Sequence, residues 1–171
     1  MSLPTFFLSH GSPMLALTDT PAHRFLQNFA STIARPRAVL VVSAHFETEQ
    51  PTVVADPHPE MIYDFRGFPR PLYEINYPAP GDAAVAAEVA DELRAAGLPV
   101  DVAPKRGFDH GTWIPLSLVW PDADVPLVQL SIQPHRDAAH HLALGRAIAA
   151  LREQDVLVIG TGAATHNLRV L

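Results

Sequence analysis

The chain contains no cysteine in 171 residues. Disulfides, thiolate metal centres and a cysteine nucleophile are therefore excluded, and any metal must be held by histidine, carboxylate or water. Positive charge is scarce and dispersed, with 12 Lys and Arg against 18 Asp and Glu and a formal net charge of -6. Without a basic cluster or stripe, neither nucleic acid nor an anionic membrane surface is an expected partner. No run of about 18 apolar residues occurs, and no basic N-terminal segment leads into a long apolar stretch. Those absences remove the signals for a membrane span and a secretory leader, and make a cytoplasmic location the expectation. Missing as well are a Gly-x-x-x-x-Gly-Lys-Ser/Thr phosphate loop, a His-Glu-x-x-His helix and a Gly-x-Ser-x-Gly elbow, which weakens the commonest nucleotide-binding and hydrolase readings.

What is present is a core-forming composition, 48% hydrophobic against 18% charged. A chain of this length can remove roughly 70% of its unfolded surface from water as one domain, so residues 1–171 read as a single domain. Apolar, β-rich runs at Thr5 to Leu8, Ala38 to Val42 and Val156 to Gly160 predict buried strands, and a shorter one is expected from Val100 to Ala103. Between them, Phe25, Leu26, Phe29 and Ile33 predict a helix over Pro21 to Ala34, stopped by Pro36. Val85, Val89 and Leu93 predict a second helix over Asp82 to Ala96, with Asp82 as N-cap and Gly97 as its stop. A third begins near Asp137 and carries Leu144, Ile148 and Leu151 on one face. This alternation is that of an α/β fold, a mostly parallel or mixed central sheet with helices on both faces in three layers. From Asp56 to Gly81 runs a proline-dense segment with Tyr63, Phe65, Phe68, Tyr73 and Tyr77. Its rings argue for an ordered loop, either packed on the sheet or walling a substrate pocket.

Histidine carries the chemistry. Three of the nine histidines lie just past the apolar runs: His10 in Ser9-His10-Gly11, His45 in Ser43-Ala44-His45, and His166 after the glycine-containing loop from Gly160 to Thr165. Ligands in open α/β sheets bind beyond the carboxyl ends of parallel strands, so imidazoles from separate strands can converge there on a metal. Glu47 stands two residues after His45 as a candidate partner to orient its ring. His110, in Gly107-Phe108-Asp109-His110-Gly111-Thr112-Trp113, reads as ligand, general acid/base or buried polar contact, with the adjacent carboxylate available to set its tautomer. His23 and His140 read as solvated, His141 as packed on the sheet, and His58 and His135 as loop residues of either kind.

Taken together, Ser9-His10-Gly11-Ser12-Pro13-Met14, Ser43-Ala44-His45-Phe46-Glu47, Tyr63-Asp64-Phe65 with Gly67-Phe68-Pro69 and Tyr77-Pro78-Ala79-Pro80-Gly81, and Asp109-His110-Gly111-Thr112-Trp113 with Thr165-His166-Asn167-Leu168-Arg169 carry a resemblance from the first strand to the last residue. In this order they resemble the extradiol, aromatic ring-opening dioxygenases of the class III LigB-like superfamily, DOPA 4,5-dioxygenase type. The resemblance implies metal ligands at His10 and His45 and active-site histidines at His110 and His166, with His166 as ligand or as acid/base. Members of that family are longer and place a further histidine ligand in a Glu-His pair near the C-terminus, which has no counterpart here. The resemblance therefore implies a chain lacking the family's C-terminal segment, or a site in which His166 fills the vacancy or that is incomplete.

The implied reaction takes a small aromatic catechol and O2 as substrates and Fe(II) as the active metal, with Zn(II) able to occupy the same site. His166 or His110 would accept a catechol proton and return it as the ring opens, the aromatic loop would line the pocket, and Asp64 or Arg66 would read a charged substituent. Two alternatives stand beside this one. A zinc hydrolase would use His110 or Glu47 as base, and a metal-binding protein would have the site without catalysis.

Overall fold

The central strands are apolar at consecutive positions because both faces of their sheet are covered. In the computed structural model, which describes residues 2–163, six strands form one sheet: β1 (Thr5–Ser9), β2 (Ala38–Glu47), β3 (Thr52–Val54), β4 (Asp101–Ala103), β5 (Leu127–Ile132) and β6 (Val156–Gly162). Their spatial order is β1-β6-β2-β5-β3-β4. The first four in that order are mutually parallel, whereas β3 runs antiparallel to β5 and parallel to β4. The sheet is thus mixed, within an α/β fold of the expected class.

Side chains alternate across a strand, and the core divides accordingly. Val39, Val41, Leu127, Leu157 and Ile159 face one side, where they meet Leu26 and Phe29 of helix α1 (Pro21–Phe29) and Trp113, Ile114, Leu116 and Val119 of another helix (His110–Val119). Ala38, Leu40, Val128, Leu130, Val156 and Val158 face the other, against Val85, Val89 and Leu93 of a helix at Ala83–Ala95 and Leu144 of one at Ala138–Ala147. Counting in a four-residue turn at Arg70–Tyr73, these helices are α1, α2 (Arg70–Tyr73), α3 (Ala83–Ala95), α4 (His110–Val119) and α5 (Ala138–Ala147). A fully buried side chain such as Leu40 contributes about 1.5–3 kcal/mol of transfer free energy. None of the described helices is long and apolar enough to cross a membrane.

The expected N-cap is in place, Asp82 accepting from the backbone N–H of Ala84 and Val85, and Asp137, near which the third helix was expected to begin, accepts from that of His140. The expected first helix ends earlier, at Phe29, and continues as a 3-10 turn at Ala30–Thr32. The stripe expected on the third helix is shared between α5, which supplies Leu144, and a 3-10 segment at Ile148–Gln154 that supplies Ile148 and Leu151. Two larger differences bear on the site. β2 does not stop at Val42 but runs on to Glu47 through a register irregularity, so His45 lies inside a strand rather than past it. And residues 110–119, met in the sequence as a glycine-containing motif, form a helix buried nearly all round, despite Gly111 and Pro115. A helix without a polar face shows no 3.6-residue stripe.

Candidate metal centre

Strand parity brings the polar groups together. On β2, Ser43 shares a face with Val39 and Val41, and past the irregularity His45 joins it under α4. On β6, Thr161 continues the row of Leu157 and Ile159, while His10, one residue past β1, continues that of Leu8. Gln129 of β5 is paired with Val41 of the same apolar row. Each apolar row therefore ends in a polar side chain at the carboxyl end of its parallel strand, the place where open α/β sheets bind ligands.

His10, His45 and His110 converge there. One ring nitrogen from each lies within 4.8 Å of the others, and the Nε2 atoms of His10 and His45 face each other at 3.1 Å. The His110 ring sits 4.0 Å from that of His45 and 5.1 Å from that of His10, centroid to centroid. His166 lies outside the described residues. Two nitrogens bound at about 2.0–2.1 Å to one ion stand roughly 3 Å apart, so the His10 and His45 pair fits a shared transition-metal ion. His10 is 3% exposed, and its Nδ1 has no hydrogen-bond partner among the described residues. Burial, with the His110 and His45 rings adding to it, pushes the His10 imidazole down to about 4, so at neutral pH it presents a lone pair rather than a charge. A nitrogen-only donor set with carboxylates close behind is that of a non-haem metal centre.

Gly111 is what allows this approach. A Cβ on it would stand 2.7 Å from Ser43 Oγ, 2.9 Å from His45 Cδ2 and 3.1 Å from His10 Cε1. Behind the rings lies a buried polar network. Asp109, the N-cap of α4, accepts from Thr112 N–H, from Ser43 Oγ–H at 2.6 Å and from Gln129 Nε2–H at 2.9 Å, and pairs with Arg106 at 3.0 Å. Ser43 Oγ in turn accepts from His45 N–H, and Arg106 stacks 4.0 Å over the Phe46 ring.

The carboxylate that meets His110 is Asp64 and not the adjacent Asp109. Asp64 Oδ1 lies 2.9 Å from His110 Nδ1 and 3.0 Å from its backbone nitrogen, the first orphan N–H of α4. Burial raises the Asp64 carboxyl, but the hydrogen bonds from the His110 ring and backbone outweigh it and hold the group below the ordinary aspartate value. Asp64, expected with Arg66 as a reader of substrate charge, is thus turned to a histidine. Glu47 is exposed at the end of β2 and forms no part of the cluster. His23 and His140 are half-buried and hydrogen-bonded, to Leu15 O and Gln133 Oε1, rather than solvated. His141 accepts from Gln133 N–H beyond β5. On the His110 side stands the aromatic loop, with Phe65 edge-on to the imidazole at 5.7 Å. On the His10 side a cavity of about 420 Å³ opens among Ser12, Met14, Leu15 and Thr18, within the size range of small-molecule sites.

Sequence reading missed Ser43, Gln129 and Arg106, and assigned Asp64 and Asp109 other roles. Only the pairing of the strands and the packing of α4 bring them together, although the polar interruption of an apolar run at Gln129 was a signal available in the sequence.

Residues 4–171 match the family described as the catalytic LigB subunit of aromatic ring-opening dioxygenase. The chain is 48% identical over 166 residues to a 4,5-DOPA dioxygenase extradiol of Beta vulgaris, covering 95% of this chain and 62% of the relative. It is 44% identical over 170 residues to the protein of the same description in Escherichia coli K12, covering 99% and 62%. A crystal structure of an uncharacterized protein from Escherichia coli K12 superposes with a TM-score of 0.78 at 41% identity, over 95% of this chain and 61% of that one. The chain thus spans about three-fifths of the length of the relatives it matches.

Proposed function

This chain belongs to the LigB family of aromatic ring-opening dioxygenases, and from that premise we propose that it opens the ring of a catechol, DOPA or a close analogue, with both atoms of O2 entering the product. The observation that carries the reading is the pair of facing Nε2 atoms of His10 and His45, with His110 beside them, at the carboxyl ends of the parallel strands. His10 and His45 would hold the ion, with His166 a further candidate ligand. Ferrous iron, when bound, supplies electron exchange between a catecholate and dioxygen.

The chain's own residues bring a catechol to reaction and manage its protons. His110 accepts the proton of a catechol hydroxyl at its free ring nitrogen, and the imidazolium so formed faces the Asp64 carboxylate 2.9 Å away. It returns that proton to oxygen as the O–O bond breaks, and the carbon–carbon bond beside the diol opens to a carboxylate and an aldehyde that keep both oxygen atoms. Tyr63, Phe65 and Trp113 pack edge-on or tilted against one another on the His110 side, an aromatic surface that suits a catechol ring. The Arg106 and Asp109 pair lies behind the histidines and keeps Ser43 and Gln129 from turning into the site.

The test is oxygen uptake with simultaneous visible absorbance, after the metal-free chain is loaded anaerobically with Fe(II) and given DOPA or a simple catechol. Uptake matched one-for-one by a yellow product is expected. Imidazole suits zinc as well as iron, but zinc has no accessible redox change, so the zinc-loaded chain should consume no oxygen. With iron bound, silence across a panel of catechols would overturn the proposal.

A further inference from the structure

We propose that Asp64 is the positioning residue of the site: it locks His110 in the Nδ1–H tautomer and leaves Nε2 as the ring's only lone pair. The argument is geometric. A backbone N–H can only donate, so Asp64 Oδ1, 3.0 Å from His110 N, is an acceptor. The same oxygen lies 2.9 Å from His110 Nδ1, and that nitrogen must therefore carry the proton. The bond made by one ring nitrogen decides what the other offers. Either role open to His110, ligand or base, needs the Nε2 lone pair that this contact provides.

The placement of Asp64 is built into the loop and does not depend on a metal. Ile62 N–H donates to Phe108 O at 2.8 Å and Phe108 N–H to Glu60 O at 2.7 Å, so the segment just before Asp64 is tied to the one just before His110. Trp113 of α4 adds a bond from its indole N–H to Ile62 O at 3.1 Å. Gly107 permits the approach, since a Cβ there would meet Glu60 O at 2.5 Å. Phe65, next in the chain, closes edge-on over the same imidazole. The segment that walls the site is therefore also the segment that sets its proton-handling group, and the two cannot vary independently.

What the lone pair does rests on the proposed function, but the tautomer does not, and the test separates them. Long-range proton–nitrogen correlation spectra of the metal-free, histidine-labelled chain read the His110 tautomer, with His110→Ala identifying the signals. The wild-type ring should be Nδ1–H. Asp64→Asn should keep that form, because its amide oxygen can accept both bonds, while Asp64→Ala should shift the ring toward Nε2–H. In the iron-loaded chain, Asp64→Ala should lower kcat about 10–100-fold with KM little changed, and Asp64→Asn should restore part of the loss. A wild-type Nε2–H ring, an unchanged tautomer in Asp64→Ala, or an effect confined to KM would overturn the proposal. If the Ala variant does not fold, loss of the Nδ1–H form in Asp64→Asn would overturn it equally. The tautomer shift in a chain that opens no catechol would uphold the role of Asp64 and count only against the activity.

Discussion

Replacing Gly111 by alanine reverses an ordinary rule. Within a helix, Gly→Ala stabilises by up to about 1 kcal/mol, and Gly111 is the second residue of α4. Its added Cβ, however, would stand 2.7 Å from Ser43 Oγ, 2.9 Å from His45 Cδ2 and 3.1 Å from His10 Cε1. Overpacking of this kind costs about 1–3 kcal/mol. Ser43 cannot swing clear without giving up its 2.6 Å bond to the buried Asp109, a hydrogen bond to a charged group and so another ~1.5–3 kcal/mol. The balance is a net loss of about 2–4 kcal/mol, together with weaker metal binding, because two imidazoles must move apart. Urea denaturation of the metal-free chain and a metal titration read both effects. Gly145→Ala serves as the control, since nothing lies within 4 Å of a Cβ at that position in α5, and it should stabilise. Unchanged or increased stability of Gly111→Ala with full metal affinity would refute the packing argument.

Three further outcomes are expected. Asp109→Ala removes the partner of Arg106, Ser43 and Gln129 at a residue 1% exposed, and should lose about 3–5 kcal/mol, read by denaturation. His45→Ala should abolish stoichiometric metal binding, whereas His110→Ala should retain the metal and slow turnover strongly; elemental analysis of both variants decides, and full occupancy in His45→Ala would remove it as a ligand. The metal-free chain should weaken in acid. His10 titrates at about 4 when folded against 6.5 for the free side chain, so between those values the unfolded chain binds a proton that the folded one does not. Stability is fully present above pH 6.5 and falls by about 3 kcal/mol on reaching pH 4, a slope that a pH series of melting curves would show.

What could be read from the sequence follows physical range. The β2 and β6 runs announce themselves because strands buried on both faces are continuously apolar, and Asp82 because an N-cap acts within three residues; β1 was expected to be buried as well, but it lies at the sheet edge with Phe7 59% exposed. His10, His45 and His110 could be singled out by their place after such runs or among glycines. The contact of Asp64 with His110 spans 46 positions, and no local pattern encodes it. β5 was hidden by Gln129 and Ser131, polar residues that are buried because Thr112, Asp109, Thr48 and Thr52 satisfy them. α4 was hidden by its own burial, since a helix enclosed on all sides keeps no polar face to betray its period.

Incorporation of both atoms of dioxygen into an opened catechol ring is tested most directly by the mass spectrum of the product formed from DOPA by the iron-loaded chain under oxygen-18 gas. A ring-opened product bearing two heavy oxygens is expected, provided the aldehyde is trapped at once, before its oxygen exchanges with water. A product labelled only from water, as a hydrolase would give, or unchanged DOPA with iron demonstrably bound, would contradict it.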